Sequence, residues 1–153
     1  MQEQFINCAK KNRIPLTCTL EITTRCNFNC PHCYMKGHNL VDIDLKKAEK
    51  ILVEIRKKGG LYLTLTGGEA FLYTNFKELY IFAYNLGFKI TIFTNLYLLT
   101  EDLINLLFTY KPIKVETTIY GTSNENYYGC NPVLKPYDTV VNNLIKLKKK
   151  CIN

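Results

Sequence analysis

Residues 16–23 alternate between apolar and polar without a break. Leu16, Cys18, Leu20 and Ile22 fall on one face, Thr17, Thr19, Glu21 and Thr23 on the other. A period of two residues is the signature of a strand with one covered face. The pattern returns over residues 61–66, where Leu61, Leu63 and Leu65 oppose Tyr62, Thr64 and Thr66. Two further strands are predicted over residues 89–94 and 113–120. Between the strands the period lengthens to that of a helix. Leu45, Ala48, Ile51, Leu52 and Ile55 form one stripe, with Asp42 or Asp44 as cap and Gly59-Gly60 as stop. Phe76, Leu79, Tyr80, Ala83 and Leu86 form a second, with Asn75 as cap and Gly87 as stop. Helices are also predicted over residues 5–11, 101–108 and 137–150, the last with Val140, Val141, Leu144, Ile145 and Leu147 as its apolar positions.

Strand and helix thus alternate through the chain, which predicts an α/β fold with parallel strands and right-handed crossovers. Ordinary parallel strands, covered on both faces, read as continuous apolar runs. These keep one polar face each: Thr19 and Glu21, Thr64 and Thr66, Thr91 and Asn95, Glu116 and Thr118. Stacked side by side, such faces line a wet lumen. The expected architecture is therefore a partial (β/α) barrel of about four βα units.

Composition narrows the class. At 153 residues, 47% hydrophobic and 22% charged, the chain reads as one globular domain. No apolar run is long enough to span a bilayer, and the amino terminus lacks the basic and apolar regions of a secretory signal. Together with an odd count of seven cysteines, this points to the reducing cytoplasm and to no membrane partner. The net charge of +7 lies largely on predicted helix faces, among them Lys46, Lys47, Lys50, Lys146, Lys148 and Lys149. Dispersed in this way it reads as solvated surface, and no nucleic-acid partner is expected.

Three of the cysteines, Cys26, Cys30 and Cys33, fall within eight residues just after the first strand. The carboxyl edge of such sheets is where chemistry is placed. Thiolates at C-x3-C-x2-C spacing converge on a metal centre more naturally than they pair as disulfides. Structural zinc takes four protein ligands, and His32 or His38 could supply the fourth. An iron–sulfur cluster with three protein ligands would leave one iron open. At the end of the second strand, Gly67-Gly68-Glu69 combines close backbone approach with a carboxylate able to grip an ammonium group. Cys18 falls on an apolar face and reads as a small hydrophobe. Cys8, Cys130 and Cys151 read as incidental thiols, and a loop holding Tyr127, Tyr128 and Cys130 could edge the pocket.

Taken together these motifs resemble the radical S-adenosylmethionine (radical SAM) superfamily, and the resemblance runs from about Ile14 to Leu147. Cys26, Cys30, Cys33 and Tyr34 look like its cluster motif. Gly67-Gly68-Glu69-Ala70 looks like its Gly-Gly-Glu-Pro, with alanine in place of proline. Thr94-Asn95-Leu96 resembles Thr-Asn-Gly, with leucine in place of glycine. Thr118-Ile119-Tyr120-Gly121 resembles Ser-Ile-Tyr-Gly. The resemblance implies a 4Fe-4S cluster on Cys26, Cys30 and Cys33, and reductive cleavage of SAM to a 5′-deoxyadenosyl radical. It implies SAM contacts from His32, Tyr34, Gly67, Gly68, Glu69, Asn95 and Thr118, with Glu69 serving the methionine ammonium. A one-electron reductant such as flavodoxin or ferredoxin follows from the same chemistry. Arg13-Ile14-Pro15-Leu16, the cysteine motif with Tyr34, and residues 118–121 with Tyr127 look most like the branch that modifies peptides or proteins, whose members often add a SPASM domain and include sulfatase maturases.

The family core has six βα units, and four are counted here. Residues 1–153 are thus expected to be the amino-terminal part of that core, without the fifth and sixth units or a SPASM domain. An open strand edge would favour self-association or a completing subunit, and the isolated chain would cleave SAM slowly or not at all. Two rival readings are a non-catalytic zinc or iron–sulfur module and a radical SAM enzyme of cofactor biosynthesis.

Overall fold

The structure, a computed structural model, describes residues 2–35, 37, 39–127, 130 and 136–152. Its elements are α1 (Gln2–Lys11), β1 (Thr17–Thr23), α2 (Leu45–Lys57), β2 (Tyr62–Gly67), a short 3-10 turn (Ala70–Leu72), α3 (Phe76–Asn85), β3 (Lys89–Phe93), α4 (Glu101–Thr109), β4 (Lys114–Glu116) and α5 (Pro136–Lys149). The four strands form one parallel sheet in the order β1-β2-β3-β4. Each new strand is added on the same side, so the order never reverses as it does in a doubly wound sheet. This is the partial barrel that the alternating strands predict.

Register explains the two faces. Thr19, Thr64, Thr91 and Lys114 align across the sheet as one polar row. Leu20, Leu65, Ile92 and Val115 form the adjacent apolar row, directed to the opposite side. Ile22, Leu63, Leu65, Ile90 and Ile92 are fully buried with Leu52, Leu79, Tyr80, Ile104 and Leu107 from α2, α3 and α4. Each such aliphatic side chain contributes about 1.5–3 kcal/mol on burial. Cys18 packs half-buried against this core, in keeping with its place on the apolar face. One residue interrupts the polar face: Phe93, opposite Glu116, stands 44% exposed there.

The end of β4 differs from the sequence pattern. β4 covers only Lys114–Glu116, because β3 ends at Phe93. A last bond, Thr94 N to Glu116 O at 3.1 Å, closes the ladder, so residues 117–120 have no strand beside them. Asp44 caps α2 by accepting from Lys47 N at 2.8 Å. Asn75 occupies the cap position of α3 without a side-chain cap bond, and Thr100 caps α4, accepting from Leu103 N at 3.3 Å. Among the described residues no helix is long and apolar enough to cross a membrane.

Candidate cluster and cofactor site

At the carboxyl ends of the strands lies a cavity of about 490 Å³. Cys26, Cys30 and Cys33 line it, as do His32, Tyr34, Gly67, Gly68, Asn95 and Thr118. Of the residues that the resemblance assigns to the cluster or to SAM, Glu69 alone is not part of the wall. His38 and Tyr128 lie outside the described residues.

The cysteines ride on an excursion between β1 and α2 that is closed at its base. Thr24 N donates to Val41 O at 2.9 Å, and Ile43 N to Ile22 O at 3.0 Å. Arg25, the residue before Cys26, forks onto Asp42, with Nε–Oδ1 at 2.9 Å and Nη2–Oδ2 at 2.6 Å. The same guanidinium donates to the Leu72 carbonyl and to Thr74 Oγ1. Burial alone would raise the Asp42 carboxyl, but hydrogen bonds from Thr23, Arg25 and Thr74 outweigh it and hold the group below its usual range. A pair so far apart in sequence leaves no period to detect. The sequence pattern marks Asp42 only as a candidate helix cap.

Within the loop, Phe28 N donates to Cys26 Sγ at 3.3 Å, and Cys33 N to the Cys30 carbonyl at 3.1 Å. Burial pushes the Cys26 thiol up, with the charges of Glu69, Cys30 and Cys33 adding to it and the Phe28 amide opposing. Cys30 is pushed up to about 11 by burial and by the neighbouring Cys130 thiol. Cys130 packs with Cys30, Phe28 and Tyr127 in one small apolar cluster. Neither Tyr127 nor Cys130 lines the cavity; both are buried.

Gly67 and Gly68 are required by the packing of one turn on another. A Cβ on Gly67, whose φ is 145°, would stand 2.1 Å from the Thr23 carbonyl oxygen, and one on Gly68 would stand 2.4 Å from that of Arg25. The contact is sealed by Gly68 N to Thr23 O and Glu69 N to Arg25 O, each 2.8 Å. The Glu69 carboxylate is fully buried. It accepts from Phe71 N at 3.0 Å, Thr94 Oγ1 at 2.6 Å and Asn95 N at 2.6 Å. Burial raises its pKa and these bonds oppose the rise. Glu69 thus ties the turn after β2 to the turn after β3.

Asn95 carries the tie onward, its Nδ2 donating to Asn27 Oδ1 at 2.8 Å and lying 3.8 Å from Cys26 Sγ. Leu96, where the resembled motif has glycine, still takes the left-handed conformation with φ 62°. It is fully buried, and its carbonyl accepts from Asn143 Nδ2 at 2.9 Å. Past β4, Thr117 lines the cavity beside Thr118, and its buried hydroxyl has no hydrogen-bond partner among the described residues. The His32 ring lies 5.1 Å from that of Tyr120, and the Tyr34 hydroxyl donates to Glu21 at 3.0 Å.

The donor set suits a thiolate-held cluster. Three thiols face one cavity, and the Cys26 thiol feels the charge of both others. Among the described residues no three His, Cys, Asp or Glu side chains stand close enough to hold a single metal ion.

Comparison with known proteins now decides the family. The model of the radical SAM superfamily matches residues 20–153. The chain belongs to the radical SAM superfamily. It is 33% identical over 113 residues to the sporulation killing factor maturation protein SkfB of Bacillus subtilis, covering 72% of this chain and 28% of that protein. It is 32% identical over 100 residues to the antilisterial bacteriocin subtilosin biosynthesis protein AlbA of the same organism, covering 64% of this chain and 22% of AlbA. The fold matches the crystal structure of Streptococcus suis SuiB bound to S-adenosylmethionine, with TM-score 0.81 and 21% identity over 99% of this chain and 36% of SuiB. This radical SAM chain therefore spans roughly a quarter of the length of these curated relatives and about a third of SuiB.

Proposed function

We propose that residues 1–153 form the amino-terminal part of a radical SAM core that holds a 4Fe-4S cluster on Cys26, Cys30 and Cys33, binds SAM beside it, and serves the modification of a peptide or protein. The observation that carries this reading is the convergence of three thiols, the Gly67-Gly68 turn and Asn95 on one cavity at the strand ends. When bound, the cluster supplies the electron that cleaves SAM to methionine and a 5′-deoxyadenosyl radical. The chain's own residues hold and orient. Arg25 and Asp42 close the loop that presents the thiols. Gly67 and Gly68 bring the backbone of β2 to the cavity wall. Glu69 fixes the Thr94-Asn95 turn, so that Asn95 stays against Asn27 and Cys26. Thr117 and Thr118 offer hydroxyls to the ribose or carboxylate end of SAM, and His32 and Tyr34 offer ring faces.

A peptide substrate is favoured by the company this chain keeps. SkfB is named for the maturation of a sporulation killing factor and AlbA for the biosynthesis of the antilisterial bacteriocin subtilosin, and SuiB has been solved bound to the precursor peptide SuiA, with TM-score 0.79 to this chain. The reductant, in this reading, is a one-electron carrier such as flavodoxin or ferredoxin.

The test is anaerobic reconstitution with iron and sulfide, followed by iron analysis and electron paramagnetic resonance of the dithionite-reduced protein. Cys26→Ala, Cys30→Ala and Cys33→Ala should each abolish the cluster signal, and Cys8→Ala, Cys18→Ala and Cys151→Ala should retain it. Equal loss of iron in Cys18→Ala and Cys30→Ala would overturn the three-ligand assignment. Addition of SAM should change the spectrum of the reduced cluster; an unchanged spectrum would argue against SAM at the open iron.

A further inference from the structure

We propose that Asn95 is a positioning residue for the cluster: its side-chain amide, together with the backbone amide of Phe28, donates to the Cys26 sulfur and raises the reduction potential of the cluster held there. This deepens the cluster assignment proposed above and rests on it.

The orientation of the Asn95 amide is fixed from both ends. Asn95 N donates to the buried Glu69 carboxylate at 2.6 Å, which holds the backbone. Tyr97 N donates to Asn95 Oδ1 at 3.0 Å. A backbone N–H faces only an acceptor, so the oxygen of the amide is turned to Tyr97 and the nitrogen to the cysteine loop. That nitrogen carries two hydrogens. One serves Asn27 Oδ1 at 2.8 Å, and the other is left for Cys26 Sγ, 3.8 Å away, a separation that the large sulfur atom still bridges. Phe28 N reaches the same sulfur from within the loop at 3.3 Å.

Packing holds the two donors together. The rings of Phe28 and Tyr97 lie 5.9 Å apart, so the turn after β3 is pressed onto the loop that carries the ligands. Phe28 is buried, and Tyr97 packs against both the main core and the small cluster around Cys30. Asn95 and Cys26 both line the cavity. A ligating thiolate only accepts hydrogen bonds. A donor to it withdraws electron density and favours the reduced, more negative state of the cluster. Hydrogen bonds to the sulfurs are among the factors that set cluster potentials.

The experiment is a redox titration of the reconstituted full chain without SAM, read by electron paramagnetic resonance, with no turnover required. Asn95→Ala removes the donor. Asn95→Asp keeps the shape and the acceptor for Tyr97 N but replaces the donating nitrogen with oxygen. Both should move the midpoint to a more negative value at unchanged iron content, Asn95→Asp further because it also adds charge. A midpoint unmoved in Asn95→Ala overturns the inference, whether or not Asn95→Asp shifts, because charge alone would then be acting. A wild-type chain that assembles no cluster defeats the cluster assignment and this inference with it. Should neither Asn95 variant assemble a cluster, pulsed electron paramagnetic resonance of chain labelled with 15N in its asparagine side chains decides. A weak 15N coupling to the reduced cluster is expected in wild type and in Asn27→Ala. Its absence from wild type, or its loss in Asn27→Ala, overturns the assignment to Asn95.

Discussion

Arg25 and Asp42 are joined by two hydrogen bonds, Nε–Oδ1 at 2.9 Å and Nη2–Oδ2 at 2.6 Å, across the base of the loop that carries the three cysteines. A forked guanidinium–carboxylate pair fixes geometry as well as energy. Arg25→Gln removes the fork and leaves the loop base to its backbone bonds and to the side-chain bonds of Thr23 and Thr24. Supporting residues behind metal ligands typically matter by roughly tenfold to a hundredfold in metal affinity. Arg25→Gln should therefore lose iron to a competing chelator at least about tenfold more readily than wild type, with circular dichroism unchanged. Equal retention of iron would remove the pair from the site's support.

Acid should expose the same pair. The Asp42 carboxyl lies below its ordinary value of 3.8 in the folded chain, because hydrogen bonds from Thr23, Arg25 and Thr74 overcome the opposing effect of burial. A depressed carboxyl contributes stability that is fully present above its unfolded value and is lost as pH falls through the folded one. Denaturant unfolding should show wild type losing stability on acidification in that window, with a shallower loss in Asp42→Asn. Parallel curves for the two proteins would show that the pair does not report on folding.

Glu69 is expected to act on the fold before it acts on ligand. Its carboxylate already accepts from Phe71 N, Thr94 Oγ1 and Asn95 N. An amide in its place presents donors to donors. Hydrogen bonds to a charged group are worth about 1.5–3 kcal/mol, so Glu69→Gln should lower the unfolding free energy of the cluster-free protein by about that much. Unchanged stability combined with weakened SAM binding would instead place the carboxylate on the ligand.

Leu96 sets packing against backbone strain. Its φ of 62° is costly for any residue with a Cβ, by about 1–2 kcal/mol. Both Leu96→Ala and Leu96→Gly lose the buried side chain, at about 2–5 kcal/mol. Only glycine relieves the backbone. The glycine variant should be the more stable of the two by about 1 kcal/mol, the reverse of their order in an ordinary helix or strand. Thermal unfolding of the two variants tests this, and the usual order would mean that the turn rearranges.

Gly68→Ala should uncouple the two turns. The new Cβ would meet backbone atoms of Thr24 and Arg25 rather than a flexible side chain. The turn after β2 must then move away from the start of the cysteine loop, breaking the bonds from Gly68 and Glu69. The variant should unfold at a lower temperature and load less iron than wild type. A stable, fully loaded Gly68→Ala protein would show that the contact between the turns is dispensable.

The sequence by itself determined what depends on neighbours a few residues apart. Alternation fixed which face of each strand is polar, because side chains in a strand change sides at every step, and the row Thr19, Thr64, Thr91 confirms it across the sheet. The spacing of Cys26, Cys30 and Cys33 likewise placed them in one loop after β1. Only the tertiary structure decided the rest. Arg25 reaches Asp42 across 17 residues and Glu69 reaches Thr94 across 25, separations with no periodicity to announce them. β4 stops at Glu116 although its sequence remains strand-like, because a strand lasts only as long as its partner. Cys130 carries no motif of its own. Its proximity to Cys30 exists because the loop after β4 folds back and buries Tyr127, and burial of that kind is a property of the packed chain rather than of any local stretch.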